Sequence, residues 1–280
     1  MTDIFQVFVN GYQIRLPARC RNLPGVHYGH RAGIYFEPYM MLAFELLLEP
    51  GDTVYDVGCC DGVLSAVLAR MVGPRGRVEA FEANPAVVAE TGPILALNSQ
   101  PLVAEAAPIR LHPVCVGERS GTQAEFFVLP APHHVASTRN PEIGRFHARW
   151  SRVEAPLVAL DDFVETTGSR PNLIKLDIEG GECAAIRGSQ RLLIEHGPAW
   201  VIETHGREID GVQGSLAELV GRLADCGYGF ADLVRGELVP ADVFVRRRQS
   251  QLGYLLALKE LKQTDLSSQL KRRWRQLVAA

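Results

Sequence analysis

Between Thr53 and Gly62 the sequence runs Thr-Val-Tyr-Asp-Val-Gly-Cys-Cys-Asp-Gly, and this stretch limits the possible folds more than any other. Thr53, Val54, Tyr55 and Val57 suit a short buried strand. Asp56 lies near its end, and Gly58 and Gly62 frame a sharp turn. Asp61 offers an N-cap to a helix whose Val63, Leu64, Val67, Leu68 and Val72 share one face. Strand, glycine turn and helix N-terminus in that order form the first unit of a nucleotide-binding α/β sheet. Glycine turns also join strands to helices for structural reasons alone, so the decision rests on the rest of the chain.

The remainder continues the alternation. Arg77 to Phe81 reads as a second strand ending at Glu82, and Asn84-Pro85 as an N-cap with proline at the first helical position. Gly92-Pro93 is expected to interrupt that helix. Ile109 to Val116 reads as a third strand with Gln123 to Leu129 as its antiparallel companion. Leu173 to Leu176 is a fourth, ending at Asp177 and followed by a helix through Ala185, Ile186, Leu192 and Ile194. Trp200 to Ile202 is a fifth, ending at Glu203. Ser215 and Glu218 form a capping box, and Phe230 to Val234 with Glu237 to Val245 make a terminal hairpin. The pattern predicts one doubly wound, Rossmann-like sheet with an antiparallel C-terminal edge over residues 51–245. Before it, residues 1–50 hold a hairpin turning at Asn10-Gly11 and a helix opened by Pro38, read as a lid or edge element. After it, residues 246–280 read as a basic amphipathic helical tail.

Charge narrows the ligand. Residues 246–280 carry nine basic and two acidic side chains, so the first 245 residues stand at −10 within a net −3. An acidic body argues against a nucleic-acid substrate and is compatible with a cationic ligand. No stretch reaches the roughly 18 uninterrupted apolar residues of a membrane span. Six cysteines without a Cys-x-x-Cys pair, and an N-terminus without a secretory pattern, predict reduced thiols and a cytoplasmic location.

Four predicted strands end in an acid: Asp56, Glu82, Asp177 and Glu203. Parallel strands place their carboxyl ends on one rim, where ligands bind. Close carboxylates repel unless a cation or hydrogen-bond donor lies between them. Glu82 falls near the offset, about 20 residues past the glycine turn, at which an acid grips ribose hydroxyls. Gly58-Cys59-Cys60-Asp61-Gly62 lacks the three-glycine spacing for a pyrophosphate, and Asp61 at the helix entry disfavours an anion. A phosphate-free, positively charged nucleoside such as S-adenosylmethionine fits this rim better than NAD.

These residues resemble the FkbM-type S-adenosylmethionine-dependent methyltransferases. The resemblance lies in Asp56-Val-Gly-Cys-Cys-Asp-Gly62, Ala80-Phe-Glu-Ala-Asn-Pro85, Leu160-Asp-Asp-Phe163, Ile174-Lys-Leu-Asp-Ile-Glu-Gly-Gly-Glu182 and Ile202-Glu-Thr-His205. It implies a class I methyltransferase fold and O-methylation of a hydroxyl on a small molecule, sugar or natural product. It also implies a cofactor site at Asp56, Gly58, Cys60, Gly62, Glu82, Cys115 and Asp177. Glu82 would take the ribose, Val114 to Val116 the adenine edge, and Asp177 and Glu179 would face the reacting methyl group. Cys59-Cys60 departs from the family's usual Ala-Asn.

An alcohol acceptor needs its proton removed, and Asp177, His205 and neighbouring Glu203 are the candidate catalytic residues. Asp177, Glu203 and His205 are also a chemically acceptable ligand set for a divalent metal. His133, His134, Arg139, Arg145, His147 and Arg149 populate a long loop that either contacts substrate or is simply solvated. The tail from Leu252 to Val278 has leucines at helical spacing. It is expected to pack on its own domain or a second subunit, or to lie on an anionic membrane or an acidic carrier protein. Two alternatives stay open: a nicotinamide-dependent oxidoreductase, and a non-catalytic interaction module on the same fold.

Overall fold

The computed structural model describes residues 3–26, 35–128, 137–138, 151–205, 214–248, 251–259 and 263–279. The N-terminal hairpin forms as expected from β1 (Ile4–Val9) and β2 (Tyr12–Pro17), turning through Asn10 and Gly11 at positive φ. Its Val7, Val9, Ile14 and Leu16 are buried in the core that also holds the helix following the glycine turn. Asn98 fixes β2 by accepting from the Arg15 N–H (2.8 Å) and donating to the Arg15 carbonyl (2.7 Å). Helix α1 (Pro38–Leu47) follows, opened by its proline.

The organising unit is β3 (Thr53–Val57) and α2 (Val63–Val72), followed by β4 (Arg77–Phe81) and α3 (Pro85–Asn98). Gly62 is the N-cap of α2, not Asp61. The Asp61 carboxylate accepts from the Val63 N–H (3.2 Å) and from Asn22 Nδ2 (2.7 Å), so it ties the turn to the N-terminal segment. Asn84 caps α3 as expected, but α3 runs unbroken through Pro93. Its buried Thr91, Ile94, Leu95 and Asn98 hold it against neighbouring elements, and that packing outweighs one missing hydrogen bond.

The expected third strand is divided. β5 (Ile109–His112) stays in the main sheet, Pro113 breaks the ladder, and β6 (Cys115–Val116) joins a separate sheet. That sheet has the order β6-β9-β7-β8, built from β7 (Thr122–Val128), β8 (Ser137–Thr138) and β9 (Ser151–Val158). So β7 pairs with β9 and β8, and not with the third strand. The loop residues at 133, 134, 139, 145, 147 and 149 lie outside the described residues.

Helix α4 (Leu160–Thr167) leads to β10 (Leu173–Leu176) and α5 (Glu182–Arg187). One helix was expected after β10, but α5 stops after six residues. At Gly188 a Cβ would lie 2.1 Å from the Gly117 carbonyl oxygen, so the two backbones meet there and the chain restarts as a π-helical turn, Leu192–His196. β11 (Ala199–His205) is longer than expected and contains both Glu203 and His205. Helix α6 (Leu216–Asp225) is capped by Ser215 Oγ as predicted, and β12 (Gly229–Asp232) pairs with β13 (Glu237–Val239). The second hairpin arm is short because α7 (Ala241–Arg248) begins.

The largest correction concerns the tail. Leu252–Leu258 is a strand, β14, inserted antiparallel between β11 and β12. Leucine spacing alone does not separate a helix from a strand buried on both faces. Leu255, Leu256 and Ala257 are fully enclosed, and each leucine so buried stabilises by about 1.5–3 kcal/mol. The remainder forms helix α8 (Gln263–Ala279). Leu270 is buried, Trp274 donates to the Val234 carbonyl (2.9 Å), and Arg273 faces Glu45 at 3.6 Å. The apolar stripe of α8 is therefore packed on its own domain.

The completed sheet has the order β13-β12-β14-β11-β10-β3-β4-β5, parallel from β5 through β11. It is the doubly wound α/β fold that the alternation predicts, with the antiparallel strand β14 inside the sheet and β13 at its edge. No helix among the described residues is long and apolar enough to cross a membrane.

Candidate active site

The carboxyl ends of β3, β4 and β10 open onto a cavity of about 360 Å³. Gly58 makes its floor possible. A Cβ there would lie 1.8 Å from the Asp177 carbonyl oxygen, so only glycine lets the exits of β3 and β10 meet. Beneath the turn, Lys175 lies beside Asp56 in register and is 3% exposed. Its ammonium donates to the Gly58 carbonyl (2.6 Å) and lies 3.2 Å from Asp56 and 3.5 Å from Asp177. Burial opposes its charge, but the two carboxylates outweigh burial and raise its pKa.

Cys60 sits in the left-handed region at φ 51. Both of its backbone groups are gripped: Glu82 accepts its N–H at 3.1 Å, and the Thr91 hydroxyl donates to its carbonyl. A side chain in this conformation costs about 1–2 kcal/mol unless it is glycine or a residue such as asparagine. Cys60→Asn is therefore expected to stabilise the ligand-free chain by about 1 kcal/mol, raising Tm by about 2 °C in a thermal melt. An unchanged or lower Tm would show that the cysteine side chain contributes packing of equal size.

Glu82 also accepts the Asn84 N–H, at 2.8 Å. Burial pushes its pKa up, and the N–H groups of Asn84 and Cys60 pull it back. The two backbone donors aim the carboxylate into the cavity with lone pairs to spare. Val114, Cys115, Val116 and Phe126 form an apolar slot next to it.

At the other end stand Asp177, Ile178 and Glu179, the last also left-handed at φ 54. Glu182 folds back under them and accepts from the N–H groups of Ile178 (3.2 Å) and Gly180 (3.3 Å). His205 is enclosed by acids. Its Nδ1 is 3.1 Å from Glu182, and its Nε2 is 3.3 Å from Glu179 and 3.8 Å from Asp177. Burial works against the imidazolium, but these partners push its pKa up to about 10, Glu182 contributing most. The carboxylates around it thus favour the charged imidazolium. That setting works against the role of base expected of His205. Burial and the neighbouring Asp177 push Glu203 up to about 8, and it faces Tyr254 across the β11–β14 ladder.

The expected cofactor residues divide. Gly58, Cys60, Glu82, Cys115 and Asp177 line the cavity. Asp56 does not: it is wholly buried, accepts from Ser65 Oγ at 2.6 Å, and is the counter-ion of Lys175. Gly62 lies behind the wall, where a Cβ would meet Leu95 and Thr91. Glu203 and His205 stand beside Asp177 but not on the wall, and the ligating atoms of all three lie within 4.8 Å of one another. Sequence reasoning gave no role to Lys175, although a lone lysine within an apolar strand was a visible signal. It also missed Asn22, Phe36 and Glu37, which line the cavity from the N-terminal segment. Nothing local marks these three.

The profile of the FkbM methyltransferase domain matches residues 56–230, more than half of the sequence. The chain belongs to the FkbM methyltransferase family. Among solved structures it is similar to the FkbM methyltransferase from Methylobacillus flagellatus KT, at 19% identity and a TM-score of 0.51. The similarity covers 79% of this chain and 48% of that one, so this chain spans about half the length of the Methylobacillus protein. A SAM-dependent methyltransferase from Aquifex aeolicus is also similar, at 15% identity and a TM-score of 0.40, covering 80% of this chain and 89% of that one. No curated protein matches the sequence. The FkbM span contains the glycine turn, Glu82, Lys175 and the Asp177–His205 cluster, but not Phe36, Glu37 or β14.

Proposed function

We propose that this FkbM methyltransferase moves the methyl group of S-adenosylmethionine to a hydroxyl of a small molecule or glycan. The observation that carries the reading is Glu82, a cavity carboxylate aimed by two backbone N–H groups beside an apolar slot. Such a carboxylate accepts from two ribose hydroxyls, and the slot of Val114 to Val116 and Phe126 suits an adenine face. Lys175 is the one cation among the described lining residues, against Glu37, Asp61, Glu82, Asp177 and Glu179. That excess of acid suits a sulfonium and an ammonium and opposes a pyrophosphate. The donor supplies a methyl group on positive sulfur. The protein's part is to hold donor and acceptor in line and to take the hydroxyl proton. Asp177, on the cavity wall and flanked by Lys175 and His205, is placed for that proton. His205, whose acidic neighbours favour its charged form, would steady the carboxylate.

Thermal shift and calorimetry with S-adenosylmethionine and NAD test the reading. Binding of the first alone is expected; binding of NAD alone would favour the oxidoreductase. Labelled donor incubated with extract fractions and read by mass spectrometry then identifies the acceptor. Donor binding without any labelled product would favour the non-catalytic module.

The Asp177–Glu203–His205 cluster is read as an ion-pair network and not as a metal centre. Both His205 nitrogens already face carboxylates, so a metal would have to displace Glu182 or Glu179. Titration with Mg²⁺ or Mn²⁺ is expected to leave Tm unchanged. A saturable rise of more than about 2 °C would place a metal in the cluster.

A further inference from the structure

The wall of the cavity supplied by Phe36 and Glu37 is built with care. Glu37 stands in the left-handed region at φ 47, directly before Pro38, which itself restricts the preceding residue. Glycine or asparagine would meet that backbone demand at lower cost. The glutamate carboxyl does not cap α1, and no described residue hydrogen-bonds to it. Burial, and then Asp177 across the cavity, raise its pKa, with Lys175 acting in the other direction. A strained, half-buried carboxylate that faces a second carboxylate destabilises the empty protein unless something positive comes between them.

Its position is fixed from a distance. Asn10, in the turn of the N-terminal hairpin, accepts the Phe36 N–H at 2.8 Å and donates to the Phe36 carbonyl at 2.7 Å. One side chain thereby holds both backbone groups of the residue preceding Glu37. The hairpin is in turn anchored to α3 by Asn98.

We propose that Glu37 contacts a positively charged group of the methyl donor, opposite Asp177, and that Asn10 is the residue that positions it. The proposal rests on the S-adenosylmethionine reading above. It adds a binding residue that lies outside the span of the family match, and it gives the N-terminal hairpin a task in binding.

The test is calorimetric titration of the full chain with S-adenosylmethionine and with S-adenosylhomocysteine, whose sulfur is neutral. Wild type, Glu37→Gln, Asn10→Ala and the double variant are compared, with thermal melts of each. Glu37→Gln is expected to weaken S-adenosylmethionine about 10-fold without lowering the ligand-free Tm. A loss for both ligands places Glu37 on the ammonium; a loss for S-adenosylmethionine alone places it on the sulfonium. Asn10→Ala should weaken binding less, and should add nothing in the Glu37→Gln background although it still lowers Tm. A purely structural asparagine would weaken binding equally in both backgrounds. If Glu37→Gln melts early, Glu37→Asp gives the second comparison and should bind S-adenosylmethionine better than Glu37→Gln. Wild-type affinity in Glu37→Gln, or equal weakening by Gln and Asp, overturns the proposal. A wild-type chain that binds neither ligand overturns the donor reading itself, a result distinct from wild-type binding with an indifferent Glu37.

Discussion

Replacing Lys175 by methionine is expected to destabilise the ligand-free chain by about 3–5 kcal/mol, the usual penalty for removing one partner of a buried ion pair. The reason lies in Asp56. It is fully enclosed, and without Lys175 its remaining side-chain partner is the Ser65 hydroxyl. The Gly58 carbonyl also loses its 2.6 Å donor, so the floor of the cavity loosens together with the strand ends. A carboxylate buried without a counter-ion is costly only in its charged form, which acid removes. The deficit should therefore shrink below about pH 5 and be largest near neutrality. Urea denaturation of Lys175→Met and of Lys175→Met with Asp56→Asn measures this. The double variant should recover much of the loss, because no buried charge is left without a partner. A single variant within about 1 kcal/mol of wild type would show that water reaches Asp56, and the buried-pair account would fail.

Glu82→Ala is expected to abolish measurable S-adenosylmethionine binding, a loss of at least about 100-fold. Two hydroxyls that donate to one carboxylate are charge-assisted hydrogen bonds, each worth about 1.5–3 kcal/mol. Glu82 also holds the Cys60 N–H, so the substitution frees the strained turn that forms part of the cavity wall. A thermal melt separates the two effects. The ligand-free chain should lose about 1–3 kcal/mol, since the freed Cys60 N–H borders the cavity whereas Asn84, which loses its 2.8 Å bond to Glu82, is buried. Undiminished affinity in a calorimetric titration would remove the ribose assignment.

Much of this site was legible in the sequence, and for a local reason. Thr53 to Val72 fold as read because a short apolar strand, a glycine turn and a one-sided helix each follow from residue spacing. The acids at 56, 82 and 177 reach one rim because parallel strands end on the same side of a sheet. Spacing does not say which of those acids faces outward. Asp56 points into the sheet toward Lys175, while Glu82 and Asp177 reach the cavity. The acidic surroundings of His205 were equally hidden, because they depend on Glu182 and Glu179, which the chain brings in from the loop and helix after β10.

The sequence by itself determined the alternation of strands and helices, the acidic strand ends and a glycine spacing unlike the three-glycine pyrophosphate turn. All three depend on the period of side chains and on glycine positions within a few residues. Tertiary structure alone decided the rest. A leucine-rich segment is equally apolar as helix or strand, and Leu252–Leu258 became a strand because a gap between β11 and β12 could bury it on both faces. The same holds at the other end of the chain. Glu37 lines the cavity, and Asn10, 27 positions earlier in the turn of the separate N-terminal hairpin, holds the peptide before it. Hydrogen bonds across such a separation leave no periodic trace in sequence, and only the folded chain shows them.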